Sequence, residues 1–275
     1  MNEAFHDNSR DETPLEPAYA FNEPGASIVL YEGPLAGLAD GERRGRIELN
    51  CGPRLGLRWY AALQPGDHRL EPGRTSVIVR RDGQDWAIEA HERSAAEGWI
   101  NTAVFPRPNT RLQRVLVQWM NLPNIVGPIS LHVSSGGTKR RWAGRWRADI
   151  DGWHLTLDVR PDHVEAMAQA SDIHLYVLTH VMEIRRVDHG DFDVDAVERL
   201  LDCLRLTFSF AFGRWVAPVV PVGYDPAGNV AWELWTSPIC DPADRFTDAI
   251  SGTSRRPRRT GPVRRASLQR QRQAR

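Results

Sequence analysis

The chain has little lysine and little cysteine. Only Lys139 among its 35 basic residues is a lysine, and the three cysteines, Cys51, Cys203 and Cys240, lie far apart. No CxxC pair occurs, which argues against a zinc ribbon. Because an odd number of widely spaced cysteines is untypical of a disulfide framework, we expect a reducing, cytoplasmic location.

Long apolar runs and several common signatures are also missing. The longest unbroken apolar run, residues 215–222, is too short to cross a bilayer, so no membrane segment is predicted. The acidic N-terminus lacks an apolar core, and we therefore expect no signal peptide. The sequence has no phosphate-binding loop, dinucleotide-binding glycine motif, HExxH or GxSxG, which removes the commonest nucleotide-binding, metalloprotease and hydrolase functions. No cofactor is predicted.

Acidic residues are absent from the end of the chain. None follows Asp248, whereas nine of the 34 arginines lie in residues 255–275. Since the whole chain has 35 basic and 35 acidic residues, the part before this tail is more acidic than basic by nine charges. We expect three regions: a disordered acidic leader over residues 1–25, a β-rich globular domain over 26–250 and a disordered arginine-rich tail over 251–275.

The arginine-rich tail has two interpretations. In the first, it is an arm that contacts nucleic acid or another anionic surface through counterion release. In the second, it has no selected function and results from truncation or a shifted reading frame in GC-rich DNA, which yields strings of Arg, Pro, Ala, Gly and Ser. The preference for arginine over lysine favours the second interpretation.

Short β-prone runs dominate the first half of the chain. Each is bounded by Gly, Pro, Asn or Asp, a pattern typical of an antiparallel β domain. The runs are residues 46–50, 55–63, 76–81, 85–92, 99–105, 112–121 and 129–134. Residues 33–45, where glycine recurs at every fourth position among charged residues, are predicted to be a loop.

A β-hairpin is predicted around the dipeptide Asp151-Gly152. This dipeptide favours a two-residue type I′ turn. The turn fixes the register of the two strands, so that Arg145 stands opposite Asp158 as a pair of opposite charges. In the same register the tryptophans of the hairpin face the core, whereas Arg145 and Arg147 face outward.

The second half of the chain predicts two helices and a central strand. A short helix is expected over residues 161–170, followed by a strand over 173–187 that is apolar on both faces. A longer helix is expected over 195–212, with Asp195 in a capping-box-like start and Gly213 as the stop. The predicted fold class is α+β, mostly antiparallel β (sandwich-like or a curved sheet), with one long buried helix and one short helix.

The second half of the longer helix is apolar almost all round. A helix of this kind is expected to be buried on every side. One face can lie on the sheet, and the other, with Cys203, Leu206 and Phe210, needs a second cover. The final hairpin of the chain provides that cover, or else a missing C-terminal domain does so as a partner.

One set of polar residues is a candidate acid/base site. His180, Glu183, His189 and Asp191 lie near the end of the predicted central strand. A generic polar strand end explains them equally well, because no nucleophile with an adjacent base can be named. A calcium loop in the same segment is rejected, since the sixth loop position is not glycine, and no metal site is predicted.

A second set of residues is a candidate nucleic-acid or anion surface. It consists of Lys139, Arg140, Arg141, Arg145 and Arg147, with two tryptophans between them. Cations combined with aromatic rings are typical of proteins that bind single-stranded nucleic acid. Rings that face the core cannot stack on bases, so this hypothesis depends on charge alone.

Residues 200–235 carry a pattern of residues that are typical of packing and turns rather than of catalysis. The pattern is formed by Leu206, Phe208, Gly213, Arg214, Pro218, Gly223, Asp225, Gly228 and Trp232. The stretch resembles one found in large uncharacterised bacterial, chiefly actinobacterial, proteins and the β-rich N-terminal region of ApeA-type anti-phage proteins. In such proteins a nuclease-like module with an Arg-x4-His helix follows. Because no Arg-x4-His occurs here, the resemblance implies a recognition or scaffold region without the effector.

Three functions remain open from the sequence. The first is a non-catalytic recognition or scaffold domain that forms the N-terminal part of a longer bacterial protein. It is favoured because the sequence predicts a structured core but no recognisable set of catalytic residues. The second is a nucleic-acid-associated protein that uses the tail and the patch at 139–147. The third is an enzyme with an acid/base site near 180–191, which the lack of a nucleophile with an adjacent base disfavours.

Overall fold

The structure is a computed structural model. The residues that it describes are 12–38, 41–63, 73–81, 83–106, 110–125, 127–135, 138–173 and 175–238. The chain divides into two units, Met1–Pro238 and Ile239–Arg275, and all described residues belong to the first. The predicted arginine-rich tail lies outside the described residues.

Six antiparallel strands close into a barrel with the order β1-β2-β3-β6-β5-β4. The strands are β1 Ile28–Leu38, β2 Gly41–Asn50, β3 Gly56–Ala61, β4 Gly73–Arg81, β5 Gln84–Ser94 and β6 Glu97–Ile100. Successive side chains alternate between the two sides of a strand. On β3, Leu57 and Trp59 are therefore fully buried inside, whereas Arg58 and Tyr60 are only half-buried. The interior is filled by apolar side chains, as in other small barrels.

The loop predicted over residues 33–45 is wrong, because β1 and β2 run through it. Two of its glycines, Gly37 and Gly45, have a steric cause: the barrel brings the backbone of a neighbouring strand very close to them. A Cβ atom on Gly45 would lie 2.2 Å from the carbonyl oxygen of Tyr60, and one on Gly37 would lie 2.2 Å from that of Ser76. Gly37 also has a φ of 79°, which favours glycine.

Eight strands form a second, wholly antiparallel sheet with the order β7-β14-β13-β8-β12-β11-β10-β9. They are β7 Thr102–Pro106, β8 Arg114–Met120, β9 Ile129–Ser135, β10 Thr138–Ile150, β11 Trp153–Val159, β12 Leu178–Arg186, β13 Ala217–Tyr224 and β14 Val230–Thr236. Each of the seven predicted β runs overlaps a strand of the barrel or of this sheet. The central strand is confirmed as β12, whose first five residues are all buried.

The hairpin register is confirmed. Arg145 pairs with Asp158 across β10 and β11, as the predicted turn requires. Asp151 and Gly152 have φ values of 49° and 77°, the positive values that a type I′ turn needs at both central residues.

Two helices are α1, His163–Asp172, and α2, Val194–Ala211. The carboxylate of Asp193 caps α2 by accepting a hydrogen bond from the backbone nitrogen of Ala196 at 2.7 Å. The predicted cap, Asp195, lies instead in the first turn, where its charge favours the helix dipole. Gly213 follows the helix with a φ of 58° and ends it as predicted.

The prediction that α2 is buried on every side is wrong. Only Val197, Leu201 and Leu204 of the helix are buried, and all three belong to one core beneath it. The final hairpin became β13 and β14 of the sheet, and Trp232 of β14 lies in that same core. The hairpin therefore packs on the inner face of α2 and leaves the outer face uncovered.

The N-terminal segment, residues 12–22, follows the opposite face of the sheet. Glu12 pairs with β9, donating its backbone N–H to Ser130 at 3.1 Å and accepting from the N–H of His132 at 3.0 Å. Further on, the backbone N–H of Leu15 donates to Asp158 at 2.7 Å. The predicted disordered leader is thus wrong from Glu12 onward, because its polar groups bond to the sheet; residues 1–11 lie outside the described part.

The α+β fold class with mostly antiparallel strands and two helices is confirmed. The sandwich-like arrangement is not, since six strands close into a barrel beside an open sheet. Neither helix in the described part of the chain is both long and apolar enough to span a bilayer.

Candidate functional site

The outer face of α2 presents large apolar side chains to solvent. Phe210 is 91% exposed and Leu206 is 59% exposed, and Cys203 is an exposed free thiol. Residues three and four positions apart lie on one side of a helix, so these three form one stripe. We call Cys203, Leu206 and Phe210 the α2 face. Sequence reasoning selected the same three residues as a surface that needs a cover.

The opposite side of α2 holds this face in place. Three buried aliphatic side chains anchor the helix on the sheet, and the ring of Phe208 packs edge-on against Trp119 with centroids 5.0 Å apart. The helix is therefore fixed by one side while the other carries exposed apolar surface. Burying a Leu or Phe side chain contributes about 1.5–3 kcal/mol, so a protein that covers this face gains several kcal/mol.

His180 lies in the interior rather than in an open site. It is 1% exposed, and neither ring nitrogen has a hydrogen-bond partner among the residues described. Its ring contacts that of His163 edge-on at 5.3 Å, a pairing that sequence spacing did not reveal. Burial lowers the pKa of His180 well below its ordinary value, and the neighbouring His163 lowers it further, so His180 is neutral.

The other three acid/base candidates do not meet His180. Glu183 is three residues along β12, so it points to the opposite face, where Arg185 holds it at 2.9 Å. His189 and Asp191 follow the end of the strand and are exposed, with Asp191 3.6 Å from Arg111. No group of three or more His, Cys, Asp or Glu side chains suited to a metal occurs among the described residues.

The buried histidine pair predicts acid-sensitive stability. The pKa values of His180 and His163 are both lowered, chiefly by burial, so the unfolded chain binds protons that the folded chain does not. Their contribution is intact above the ordinary pKa of 6.5 and is lost as the pH falls below it. As the pH falls below 6.5 we expect the free energy of unfolding to fall, by at most about 1.4 kcal/mol per pH unit for His180.

Chemical denaturation at several pH values measures this effect. The variant His180→Leu should flatten the pH dependence over this window, whereas His189→Asn, which changes an exposed histidine, should leave it unchanged. An equal slope in the parent and in His180→Leu would show that His180 does not stay neutral in the fold.

The candidate anion patch is largely neutralised. Arg145 is 5% exposed and binds the carboxylate of Asp158 through Nε at 2.7 Å and Nη2 at 2.6 Å, and it also binds Glu12. Its predicted outward, solvent-facing position is wrong, because the N-terminal segment covers it. Arg147 is exposed but pairs with Glu12 at 2.5 Å.

The remaining cations of the patch are spread along β10. Arg140 donates to the carbonyl oxygen of Pro161 at 2.9 Å, and Arg141 donates to the hydroxyl of Ser130 at 3.2 Å, both at the surface. The side chain of Lys139 lies outside the described part of the structure. The four arginines of the patch therefore do not form one cationic surface.

A buried carboxylate that the sequence did not single out joins the barrel, the sheet and the N-terminal segment. Glu233 on β14 is 3% exposed and accepts hydrogen bonds from Arg81 and from the indole of Trp235, each at 2.5 Å, and from the hydroxyl of Tyr19. Arg81 also lies over the ring of Phe105 at 4.8 Å. The cavity beside it is only about 40 Å³, room for about one water molecule, so this cluster is an anchor.

Comparison with known proteins gives a family match for the sheet and its helices. The family described as the YopA central domain matches residues 107–246. This range holds β8 to β14 and both helices, including the α2 face, and it leaves the barrel outside.

A curated relative agrees with this match. The SPbeta prophage-derived uncharacterized protein YopA of Bacillus subtilis (strain 168) is 27% identical over 146 residues, which are 52% of this chain and 32% of that protein. The chain thus aligns with about a third of the length of this relative. No solved structure matches the chain.

Proposed function

Because the chain belongs to the YopA central domain family, we propose that its sheet and helices serve as a non-catalytic recognition and scaffold domain of a larger bacterial protein. The single observation that carries this proposal is the α2 face. A helix whose inner side is packed into a core while Phe210 remains 91% exposed has apolar surface to offer a partner.

The proposed partner is a further domain of the same bacterial protein that packs on Cys203, Leu206 and Phe210. The length of the Bacillus subtilis relative supports this choice, since about two thirds of that protein lies outside the aligned segment. A cytoplasmic location is part of the proposal, because it keeps the exposed thiol of Cys203 reduced.

The resemblance of residues 200–235 to ApeA-type proteins stays a prediction, since the matches found concern the YopA family. The resemblance is compatible with the proposal. Both assign a recognition or scaffold role to the β-rich region and any catalytic activity to another domain. The role of the tail in binding nucleic acid also stays a prediction, as the tail lies outside the described residues.

Site-specific photo-cross-linking tests the proposed partner. A benzophenone amino acid is placed at position 210 in the full chain, produced in bacteria, and the cross-linked peptides are identified by mass spectrometry. We expect cross-links from position 210 to an apolar surface of a further domain. The matched control is position 164, because Val164 is 65% exposed and lies on the other helix, α1.

The outcomes separate the occupants of the α2 face. Cross-links from position 210 to a further domain of the same protein, outside residues 1–275, support the proposal. Cross-links to α2 of a second copy would replace it with self-association, and equal labelling from positions 210 and 164 would contradict a specific partner.

A further inference from the structure

The outer surface of the barrel carries a row of cations and aromatic rings. Register places Arg58 of β3 beside Trp99 of β6, and Trp99 beside His91 of β5, which is beside Arg74 of β4. The rings of Trp99 and His91 are stacked, with centroids 5.0 Å apart and planes within 8° of parallel. Trp99 is only half-buried, so part of it remains in contact with solvent.

A groove of about 180 Å³ lies next to this row. Its lining includes Arg54, Arg58, Arg93, Tyr60 and Asn50. Arg54 and Arg58 have no carboxylate partner among the residues that the structure describes. Arg93 pairs with Glu97 at 3.4 Å, but both side chains are more than a third exposed, so the pair is weak and other anions can compete for the arginine.

A second groove of about 210 Å³ has one lining residue in common with the first. Both grooves are lined by Tyr60, and the second adds Arg44 and Arg46. The guanidinium of Arg46 lies 5.3 Å from the centre of the Tyr60 ring and pairs with Glu48 at 3.0 Å. Arg44 pairs with Glu32 at 3.4 Å, where both side chains are exposed. The two grooves and the Trp99 row together form a cationic and aromatic strip across β2, β3, β6, β5 and β4, which we call the barrel strip.

We propose that the barrel strip binds single-stranded nucleic acid. The arginines of the first groove bind phosphates, and the half-buried rings of Tyr60 and Trp99 provide ring faces on which bases stack. The sequence predicted this combination on β10, where Trp146 packs against the core beneath α2. The barrel precedes residues 107–246, so this site is separate from the family match and from the α2 face.

The barrel strip is cationic, whereas the part of the chain before the tail has a net negative charge. The body before the tail is acidic overall, so a single strand is not attracted to it everywhere. Arg54 and Arg58, which have no carboxylate partner among the described residues, attract the strand locally. Their contacts with phosphates release counterions. Binding should therefore weaken with salt by a slope of about 0.7 per phosphate contacted.

Fluorescence anisotropy with fluorescein-labelled dT12 tests the proposal in the full chain. In the variant with Arg54→Gln and Arg58→Gln, the slope of log affinity against log salt should fall by about 1.4, because two phosphate contacts are lost. The affinity of the parent should then fall about 7-fold more than that of the variant between 50 and 200 mM salt. The variant Trp99→Leu should weaken binding about 5- to 150-fold through lost stacking, with thermal melting as a check of folding.

The matched control changes two arginines outside the barrel. Arg140→Gln with Arg141→Gln removes the same charge from β10 and should leave the salt slope unchanged. Because the arginine-rich tail is present in every variant, cross-linking of dT12 that carries 5-bromodeoxyuridine locates the strand directly by mass spectrometry.

Cross-links in residues 54–60 or 91–99, together with the reduced slope, support the barrel strip. The proposal is overturned if the parent does not bind dT12, if both double variants behave alike, or if the cross-links fall only in residues 255–275. None of these results bears on the partner of the α2 face, which lies in a different part of the chain.

Discussion

Replacing Arg145 with alanine should lower the free energy of unfolding by about 3–5 kcal/mol. Asp158 is 1% exposed and faces Arg145 through two hydrogen bonds. Without the guanidinium, the carboxylate of Asp158 stays buried without a positive charge beside it. Its other hydrogen-bond donor among the described residues is the backbone N–H of Leu15. The cost of burying an unpaired charge is much larger than the net value of the pair.

The matched control for this substitution is Arg147→Ala. Arg147 binds the same Glu12 but its side chain is 40% exposed, so solvent replaces the lost interaction and we expect a change of about 0–1 kcal/mol. A double variant, Arg145→Met with Asp158→Leu, removes both charges and should recover much of the stability. Urea unfolding measures all three, and equal losses for Arg145→Ala and Arg147→Ala would refute the buried pair.

Replacing Glu233 with alanine should lower the free energy of unfolding by about 3 kcal/mol. The substitution removes the acceptor that Arg81, Trp235 and Tyr19 share. The buried indole N–H of Trp235 then keeps only the longer hydrogen bond to the hydroxyl of Tyr19, at 3.3 Å. Because Arg81 is 26% exposed and reaches some solvent, the loss should be smaller than for Arg145→Ala.

Limited proteolysis adds a local measurement for Glu233→Ala. The hydroxyl of Tyr19 ties the N-terminal segment to Glu233, so cleavage within residues 12–22 should become faster in the variant. The control is Glu89→Ala, which breaks an exposed pair with Arg74 at 3.9 Å and should change stability by less than about 0.5 kcal/mol. Unchanged stability and cleavage in Glu233→Ala would mean that the cluster anchors nothing.

Local structure could be predicted where neighbouring residues determine it. Asp151-Gly152 specifies its turn within two residues, and the turn then fixes the register of β10 and β11. Gly213 marks the end of α2 for a similar reason, since the left-handed conformation there favours glycine. Short β runs were found because their bounding turn residues lie next to them.

Long-range pairing could not be predicted in the same way. The barrel closes where Leu35 of β1 meets Val79 of β4, a contact between residues far apart in sequence that leaves no periodic signal. The glycine-rich stretch of β1 and β2 was interpreted as a loop, because the steric reason for Gly37 and Gly45, the close backbone of Ser76 and Tyr60, exists only once the barrel is closed.

The candidate sites could also be predicted only where residues close in sequence determine them. The α2 face was predicted from spacing alone, because helix periodicity decides which residues share a side. The burial of Arg145 depends on Glu12, more than a hundred residues away, so the sequence indicated only its partner Asp158. The cations and rings of the barrel strip lie on separate strands and became neighbours only through the barrel.

The double variant Leu206→Glu with Phe210→Glu tests most directly whether the outer side of α2 is reserved for a partner. Both side chains are mainly solvent-exposed, so the account predicts that the free energy of unfolding of the isolated chain changes by less than about 0.5 kcal/mol, while the partner found from position 210 no longer binds. A loss of 2 kcal/mol or more in the isolated chain, or undiminished binding of that partner, would contradict it.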